Sequence, residues 1–465
     1  MAARRSLDRR AFLRKAGAAG VLGAVAARDV AGAERLLAAE PGMGSSPGAP
    51  RMRGPGALPQ TPDFDGLYAR VGTDCSKWDG PRAEYGDAIQ VAMGIADQDF
   101  RAAPCITRAL AERCAHENWG YLRLPDSFIR SIVDWNQRRY GLEIDPGTVE
   151  LTTGVHAGLI FAIRTFAPPG TRVLMTTPVY SGFYSDIRFT RTVAEECPMV
   201  LEDGRYRVDF DDFDRRARRS NVFILCNPQN PTGNAWSAED MTRMGEICLE
   251  HGVPVLVDEI HCDFVSRGEE YIPFASLPNR EIVDNSLTFK SASKSFSISA
   301  MKVAWYFSTN PSYLERVRLN TRADLSTLGV VASDAALRDG DGWLDALIPY
   351  IDGTHELVAR RMKDDVPLVS YTKAQGTYLA WIDVSEALEA IGAEEIAARE
   401  SERAVRKVTP EEVARRWFAE TAGVYLNPGS NYGPGGEGKM RMNLATSRIL
   451  VNRALDNMAE ALGRV

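Results

Sequence analysis

The segment Ser286-Leu-Thr-Phe-Lys-Ser-Ala-Ser-Lys294 decides how this sequence is interpreted. Residues 286–290 predict a buried strand, and the residues after them are small and hydroxylated until Lys294 is reached. In an α/β sheet, ligands bind just beyond the carboxyl ends of the strands. A lone lysine is usually a solvated surface charge, but this position makes Lys294 a candidate for chemistry.

Short apolar runs alternate with amphipathic stretches along the chain, which predicts an α/β fold with a mostly parallel sheet covered by helices. Ser237-Ala-Glu-Asp240 resembles a capping box at a helix start, and Gly252 marks the place where that helix should stop. Thr409-Pro-Glu-Glu412 predicts the start of a helix over 409–421, and another helix is expected over 385–406. The predicted strands are 172–177, 222–226, 253–258, 286–290, 302–307 and 377–384.

Length and composition set the domain organisation and the class of ligand. A chain of 465 residues with 45% hydrophobic and 25% charged residues predicts a globular protein with more than one domain. The net charge of −7 gives no support for a nucleic-acid partner, so small molecules are the expected ligands. The seven cysteines show no zinc-type or CxxC spacing, so no metal site is expected. No apolar stretch reaches the roughly 20 residues that a stable membrane span needs.

We expect two domains after an N-terminal extension. Residues 63–110 should join a smaller α+β domain, and residues 111–345 should form the large domain. Residues 346–465 should complete the smaller domain and carry a helical insertion over 385–421.

Residues 1–33 differ in kind from the rest of the chain. Arg9-Arg-Ala-Phe-Leu-Arg-Lys15 precedes a short apolar run and Ala31-Gly-Ala33, a pattern that resembles a twin-arginine export signal. Residues 34–62 are rich in Gly, Pro, Ala and Ser, which predicts a flexible linker. Export to the periplasm or the medium is therefore expected. The alternative is a cytoplasmic protein whose arginine pairs arise from its composition.

Three segments together resemble the cofactor-binding set of a pyridoxal 5′-phosphate (PLP) enzyme of the aminotransferase superfamily, fold type I. PLP chemistry needs a lysine amine to form a Schiff base, an acid that keeps the pyridine nitrogen protonated, and a grip on the phosphate. The resemblance implies that Lys294 is the Schiff-base lysine, Asp258 the ring acid and Asn230 the partner of the ring oxygen. His261 matches a position where many aminotransferases have a tyrosine. The segments are Asn227-Pro-Gln-Asn-Pro-Thr-Gly233, Asp258-Glu-Ile-His261 and Ser291-Ala-Ser-Lys294.

The resemblance also implies a phosphate site and a substrate site. Tyr180 matches an aromatic that stacks on the ring, and Arg441 matches the clamp of the substrate α-carboxylate. Tyr121 matches an aromatic that reaches the phosphate from a neighbouring subunit, which implies a homodimer with active sites at the subunit interface. The phosphate positions include a predicted helix start, where backbone N–H groups can face an anion. They are Gly154, Val155, His156, Ser291, Ser293 and Lys302, and the further substrate positions are Ile95 and Ala96.

Over most of the chain after the linker, the sequence is most similar to cystathionine beta-lyases of the MalY/PatB type. One departure is Met93-Gly-Ile-Ala-Asp97, where lyases of this type usually have a tryptophan just before the Ala-Asp pair. The resemblance implies a carbon–sulfur beta-lyase that acts on an amino acid. Transamination is the alternative, and a non-catalytic PLP-binding regulatory protein is a remote one. The shared segments are Lys77-Trp-Asp-Gly, Ala96-Asp-Gln-Asp-Phe100, Cys226-Asn-Pro-Gln-Asn-Pro, Asp258-Glu-Ile-His-Cys-Asp263, Asn427-Pro-Gly-Ser430 and Arg441-Met-Asn-Leu-Ala445.

Overall fold

The strands of the computed structural model, which describes residues 62–465, form one large sheet and three small ones. In chain order they are β1 Val91–Ala92, β2 Glu150–Thr152, β3 Arg172–Thr177, β4 Val193–Pro198, β5 Val200–Glu202, β6 Arg205–Arg207, β7 Val222–Cys226, β8 Val255–Asp258, β9 Ser286–Lys290, β10 Ala304–Phe307, β11 Leu379–Asp383, β12 Val424–Tyr425, β13 Asn427–Pro428 and β14 Lys439–Asn443. The large sheet has the order β2-β10-β9-β8-β7-β3-β4. In this sheet β10 runs antiparallel to both of its neighbours, whereas the other pairs are parallel.

Helices cover the large sheet and also pack against the smaller ones. In chain order they are α1 Asp79–Tyr85, α2 Pro104–Cys114, α3 Asp126–Tyr140, α4 Val155–Phe166, α5 Gly182–Thr190, α6 Phe210–Ala217, α7 Ala238–Glu250, α8 Arg280–Asp284, α9 Pro311–Arg318, α10 Thr327–Asp339, α11 Asp341–Asp364, α12 Ser385–Ala390, α13 Ala393–Ser401, α14 Pro410–Trp417 and α15 Arg448–Leu462. Within 62–465, none of these helices combines the length and the apolar character that crossing a bilayer requires.

The predicted strands of the large sheet are confirmed, with two of them shorter at their amino ends. β3, β7 and β9 have the predicted bounds. β8 begins at Val255 because Pro254 has no backbone N–H to give to a neighbouring strand. β10 begins at Ala304, since Lys302 has a left-handed φ of 55° that no extended strand accepts.

A second, three-stranded sheet of order β11-β14-β13 carries the smaller apolar core together with α11 and α15. The segment before the large sheet joins this part of the molecule, because β1 pairs in parallel with β12, Val91 opposite Val424. The mixed α/β fold that we predict, with a smaller part built from both ends of the folded chain, is thus confirmed. The domain boundaries at 110 and 345 stay predictions.

The helical insertion differs from the prediction in one respect. The single helix predicted over 385–406 is wrong: α12 ends at Ala390 and α13 begins at Ala393, because Gly392 adopts a left-handed φ of 64° between them. The capping box at Thr409 is confirmed, since its hydroxyl accepts from the N–H of Glu412 and the Glu412 carboxylate accepts from the N–H of Thr409. The signal predicted over 1–33, and the linker predicted over 34–62 up to residue 61, lie outside the described residues.

Candidate active site

A cavity of about 430 Å³ lies beyond the carboxyl ends of β7, β8 and β9. Parallel strands end at a common edge, so residues that are far apart in the sequence meet there. The predicted site residues that line this cavity are Ala96, Gly154, Val155, His156, Tyr180, Asn230, Asp258, His261, Ser291, Ser293, Lys294 and Lys302.

A larger cavity of about 1010 Å³ lies between α12, α13, α14 and the loop before β14. Its wall carries carboxylates such as Glu389, Glu395 and Glu437, and it contains none of the predicted site residues. Size alone does not make a site. The smaller cavity holds the reactive groups, and we take it as the candidate active site.

Lys294 is the candidate nucleophile among the residues that line the cavity. Its Nζ donates a hydrogen bond to the backbone oxygen of Ala96 at 2.8 Å. Burial and the nearby positive charge of Arg441 lower the pKa of Lys294 to about 8. The amine is therefore neutral, and able to attack a carbonyl, in a pH range where an ordinary lysine is protonated.

Asp258 is the acid at the end of β8, and its side chain is almost completely buried. Burial raises its pKa to about 6, although the N–H of Ile260 donates to its Oδ1 at 3.1 Å. The nearby charges of His156 and Lys294 lower the pKa but do not offset the burial. A buried carboxylate of this kind is stabilised by a cationic partner, and a protonated pyridine nitrogen supplies one.

His156 and Tyr180 form the wall where a planar ring can lie. Their ring centroids are 5.5 Å apart. The Nδ1 of His156 lies 2.6 Å from Oδ2 of Asp186. Burial acts to lower the pKa of His156, but the Asp186 carboxylate has the larger combined effect and the pKa is raised. The hydrogen bond fixes the orientation of the imidazole ring.

The predicted phosphate site includes the start of α4 and the side chains of Lys302 and Ser291. α4 begins directly after Gly154, whose φ of 131° is open only to glycine, and no side chain caps the first N–H groups. These N–H groups and Lys302 can receive an anion. The hydroxyl of Ser291 donates its proton to the backbone oxygen of Val303 at 2.7 Å. Towards any further group, this hydroxyl can act only as a hydrogen-bond acceptor.

Arg441 is 2% exposed and has no carboxylate among its contacts in residues 62–465. One terminal nitrogen donates to Oδ1 of Asn230 at 3.1 Å, and the other donates to the oxygen of Gly94 at 2.7 Å. Its Nε is buried and has no partner in the described part of the chain. A buried, aligned guanidinium without a counter-ion suits a substrate carboxylate.

Three predicted residues do not line this cavity. Arg441 contacts Asn230, which does line it. The side chain of Ile95 is 40% exposed and does not line it. Tyr121 is fully exposed and lies away from the cavity of its own chain. Their roles, and the individual roles of the residues that do line the cavity, stay predictions.

Contacts that sequence reasoning missed hold Lys294 from the N-terminal side. The side-chain nitrogen of Gln98 donates to the backbone oxygen of Lys294 at 2.5 Å. The neighbouring Asp99 is buried and forms an ion pair with the buried Lys77 at 2.7 Å, and it also accepts from Trp78 Nε1 at 2.9 Å. The signal was present in the sequence, because these residues belong to two of the segments shared with the lyases.

The residues present fit PLP. His261 is buried, its Nδ1 has no partner among residues 62–465, and burial holds its pKa well below the ordinary value. A buried polar atom without a partner is costly, and the ring hydroxyl of PLP would satisfy it. The donor set agrees: an amine, a buried acid, an aromatic wall and a helix start surround one cavity.

Comparisons with known proteins agree with this geometry. The chain matches the sequence profile described as aminotransferase class I and II over residues 88–458. It is 34% identical to cystathionine beta-lyase PatB of Bacillus subtilis, with 86% of this chain and 100% of PatB covered. It is 30% identical to protein MalY of Escherichia coli, with 87% and 99% covered.

A solved structure extends the comparison to three dimensions. The PLP-bound C-S lyase from Staphylococcus hominis superposes with a TM-score of 0.77 at 27% identity, and 86% of this chain and 98% of that chain are covered. With the cavity and its lysine, acid and helix start in place, this chain belongs to the aminotransferase class I and II family of PLP-dependent enzymes.

Proposed function

We propose that this enzyme is a carbon–sulfur beta-lyase that cleaves an amino acid with a sulfur leaving group at Cβ. The observation that carries the proposal is the pairing of Lys294, which lines the cavity, with the counter-ion-free Arg441, which contacts the lining residue Asn230. This pairing provides a base for the α-proton and a clamp for the α-carboxylate of one substrate. The names of PatB and of the Staphylococcus hominis structure, a cystathionine beta-lyase and a C-S lyase, support the sulfur leaving group.

The chain's own residues would bind and orient the substrate. Arg441 would bind the α-carboxylate in a bidentate manner, while Asn230 and Gly94 hold the guanidinium in place. Asp258, ionised, would keep the ring nitrogen of the cofactor protonated. PLP, when bound, supplies the electron sink that makes the α-proton acidic.

Lys294 would then move the proton. Its neutral amine takes the proton from Cα, the bond between Cβ and sulfur breaks, and the electron pair leaves with the sulfur. The ammonium of Lys294 can return the proton to the departing thiolate. Water releases ammonia and a keto acid from the remaining enamine, so the products are thiol, ammonia and keto acid in equal amounts.

Transamination is the second candidate, and one observation favours it. The segment Met93-Gly-Ile-Ala-Asp97 lacks the tryptophan that related lyases usually have just before the Ala-Asp pair, and a Cβ at Gly94 would lie 2.8 Å from ring atoms of Tyr425. Tyr425 therefore fills the space that a larger side chain would need, so the leaving-group side of the site differs from theirs.

A single comparison of substrates separates the two reactions. Purified enzyme is incubated with cystathionine alone, and separately with amino acids plus a keto-acid acceptor. Equal amounts of keto acid and thiol without an acceptor are expected. A strict requirement for the acceptor would replace the lyase with an aminotransferase. Lys294→Ala is the control and should be inactive in both assays.

We also infer that the enzyme is a homodimer. Trp119 and Tyr121 are large, exposed side chains on one loop, and exposed apolar groups of this size favour burial against a partner. The family resemblance supports a role for Tyr121 at the phosphate of the other subunit. Analytical ultracentrifugation should give twice the mass of the chain, and a monomer at micromolar concentration would contradict the inference.

Export by the twin-arginine route remains a proposal from Arg9-Arg10 and the apolar run after it. Cell fractionation of the full chain should recover the enzyme outside the cytoplasm, and amino-terminal sequencing should find a chain that begins near residue 34. Arg9→Lys with Arg10→Lys should retain it in the cytoplasm. Recovery of the parent protein in the cytoplasm would support the cytoplasmic alternative.

A further inference from the structure

A second buried polar cluster lies on the side of the active-site turns that faces away from the cavity. The residues after β8 alternate in direction: Asp258 and His261 line the cavity, whereas Glu259 and Asp263 do not. We call the polar groups on this far side the rear cluster. Its members are Tyr140, Glu259, Cys262, Asp263, Tyr271, Lys290 and Ser295.

Asp263 is the member that connects the two catalytic turns. One of its carboxylate oxygens accepts a hydrogen bond from Ser295, the residue directly after Lys294. The other oxygen accepts from the hydroxyl of Tyr140, at the end of α3. Asp263 and Ser295 are both buried, so neither hydrogen bond competes with solvent.

Glu259 anchors the beginning of the first turn. Its carboxylate accepts from the hydroxyl of Tyr271 at 2.5 Å and from the N–H of Phe274 at 2.9 Å. Lys290, the last residue of β9, has its Nζ 4.0 Å from this carboxylate and 4.1 Å from the ring centroid of Tyr140. The rear cluster thus holds the ends of β8 and β9 where both strands enter their turns.

The turn that carries Lys294 is held by Gln98 and Asp97 on one side and by the rear cluster on the other. After β9 ends at Lys290, no helix or strand begins before the short helical turn Ser299–Met301. Within residues 62–465, one side-chain hydrogen bond joins this turn to the turn 258–263. It runs from the hydroxyl of Ser295 to the carboxylate of Asp263. Without it, the two turns would be connected through the backbone pairing of β8 with β9 and through the contacts of Lys290 with Glu259 at the ends of these strands.

We propose that Asp263 is a positioning residue that, through Ser295, keeps the amine of Lys294 aligned with Asp258 and His261 across the cofactor cavity. A reacting group that is misplaced by about 1 Å can lose about 100-fold in rate, so a hydrogen bond behind the turn has a direct effect on catalysis. The inference requires a bound cofactor but holds for elimination and transamination alike.

The test uses variants that delete single groups from the contact. Ser295→Ala removes one hydroxyl, and Asp263→Asn keeps the shape while it removes the charge. In both we expect kcat to fall about tenfold or more and the dissociation constant for PLP to rise, because both the lysine and the ring site are misaligned. KM for the amino acid should change little, since Arg441 is held by Asn230 and Gly94 instead.

Ser131 provides a matched control. It is a buried serine that donates to Oδ1 of Asp334 at 2.6 Å, on helices away from the cavity. Ser131→Ala should lower the thermal midpoint by an amount similar to Ser295→Ala, with kcat and PLP affinity unchanged. The double variant Ser295→Ala/Asp263→Asn should be less damaging than the sum of the two single variants, because both act on the same hydrogen bond.

Two results would overturn the proposal. One is a Ser295→Ala enzyme whose kcat and PLP affinity match those of Ser131→Ala. The other is full additivity of Ser295→Ala and Asp263→Asn. If Asp263→Asn does not fold, the comparison of Ser295→Ala with Ser131→Ala still tests the proposal. PLP affinity is measured by fluorescence titration of the apo-protein, so an incorrect choice of substrate or reaction leaves this readout intact.

Discussion

The amine of Lys294 should lose its proton at a lower pH than an ordinary lysine does. Because its pKa is about 8, the rate at which the apo-protein captures PLP covalently should rise with pH and level off above that value. Below it, each pH unit should reduce the rate about tenfold, since the neutral amine is the nucleophile. Stopped-flow absorbance measures the rate, and Lys294→Ala is the control. A midpoint near the ordinary value of 10.5 would contradict the effect of burial.

Asp258 should lower the free energy of unfolding of the apo-protein as the pH rises. A carboxylate with a lowered pKa would have the opposite effect. Its folded pKa of about 6 lies above the ordinary 3.8, so ionisation increasingly opposes folding as the pH rises between these values. Asp258→Asn should therefore raise the free energy of unfolding of the apo-protein at pH 8, by up to about 3 kcal/mol, and change it little at pH 4. The amide can still accept from Ile260, which keeps the turn intact.

Urea denaturation of the apo-protein at both pH values checks this prediction, with the PLP-loaded proteins as the control. In the PLP-loaded state the parent should be more stable than Asp258→Asn, because the carboxylate then has a cationic partner and the amide does not. An equal gain at pH 4 and pH 8 would show that the effect is unrelated to ionisation.

At the scale of elements, the position of α4 should control the affinity for PLP. A Cβ at Gly158 would lie 2.9 Å from the ring of Phe289 on β9 and 3.2 Å from Thr152 on β2. Gly158→Ala should push α4 away from the sheet, cost about 1–3 kcal/mol of stability and weaken PLP binding, because the helix start moves with it. Gly342→Ala in α11 is the control. That site is open, so the substitution should be neutral or stabilising by about 1 kcal/mol.

Thermal unfolding and PLP titration of the two glycine variants give the answer. If Gly158→Ala loses stability but keeps its PLP affinity, binding of the PLP phosphate does not depend on the start of α4.

At the scale of the whole molecule, two inactive variants should complement each other. Lys294→Ala lacks the nucleophile, and Tyr121→Ala should lack the contact supplied to the partner's phosphate. A hybrid dimer would contain one intact site, with Lys294 from one chain and Tyr121 from the other. Refolding an equal mixture should restore about a quarter of the parental activity, because half of the dimers are hybrids with one of two sites intact. No recovery would place Tyr121 outside the partner's site.

Local signals were sufficient for several strands of the large sheet and for one helix start. β7 follows from an apolar run, β3 and β9 follow from short apolar or alternating stretches, and the start of α14 follows from its capping box, since these depend on neighbours in the chain. The helix break at Gly392 was missed, because a glycine inside a charged helical pattern gives only a weak signal.

The sequence by itself determined the fold class, the three motifs and the positions along the chain of the strands that precede them. Tertiary structure alone decided the contacts between segments that are far apart in the chain. Arg441 meets Asn230 and Gly94, Lys294 meets Ala96, and Asp263 meets Ser295 only after the sheets have formed. The physical reason is that a strand or a cap depends on local pattern, whereas the partner of a buried polar group depends on which strand ends are brought to the same edge.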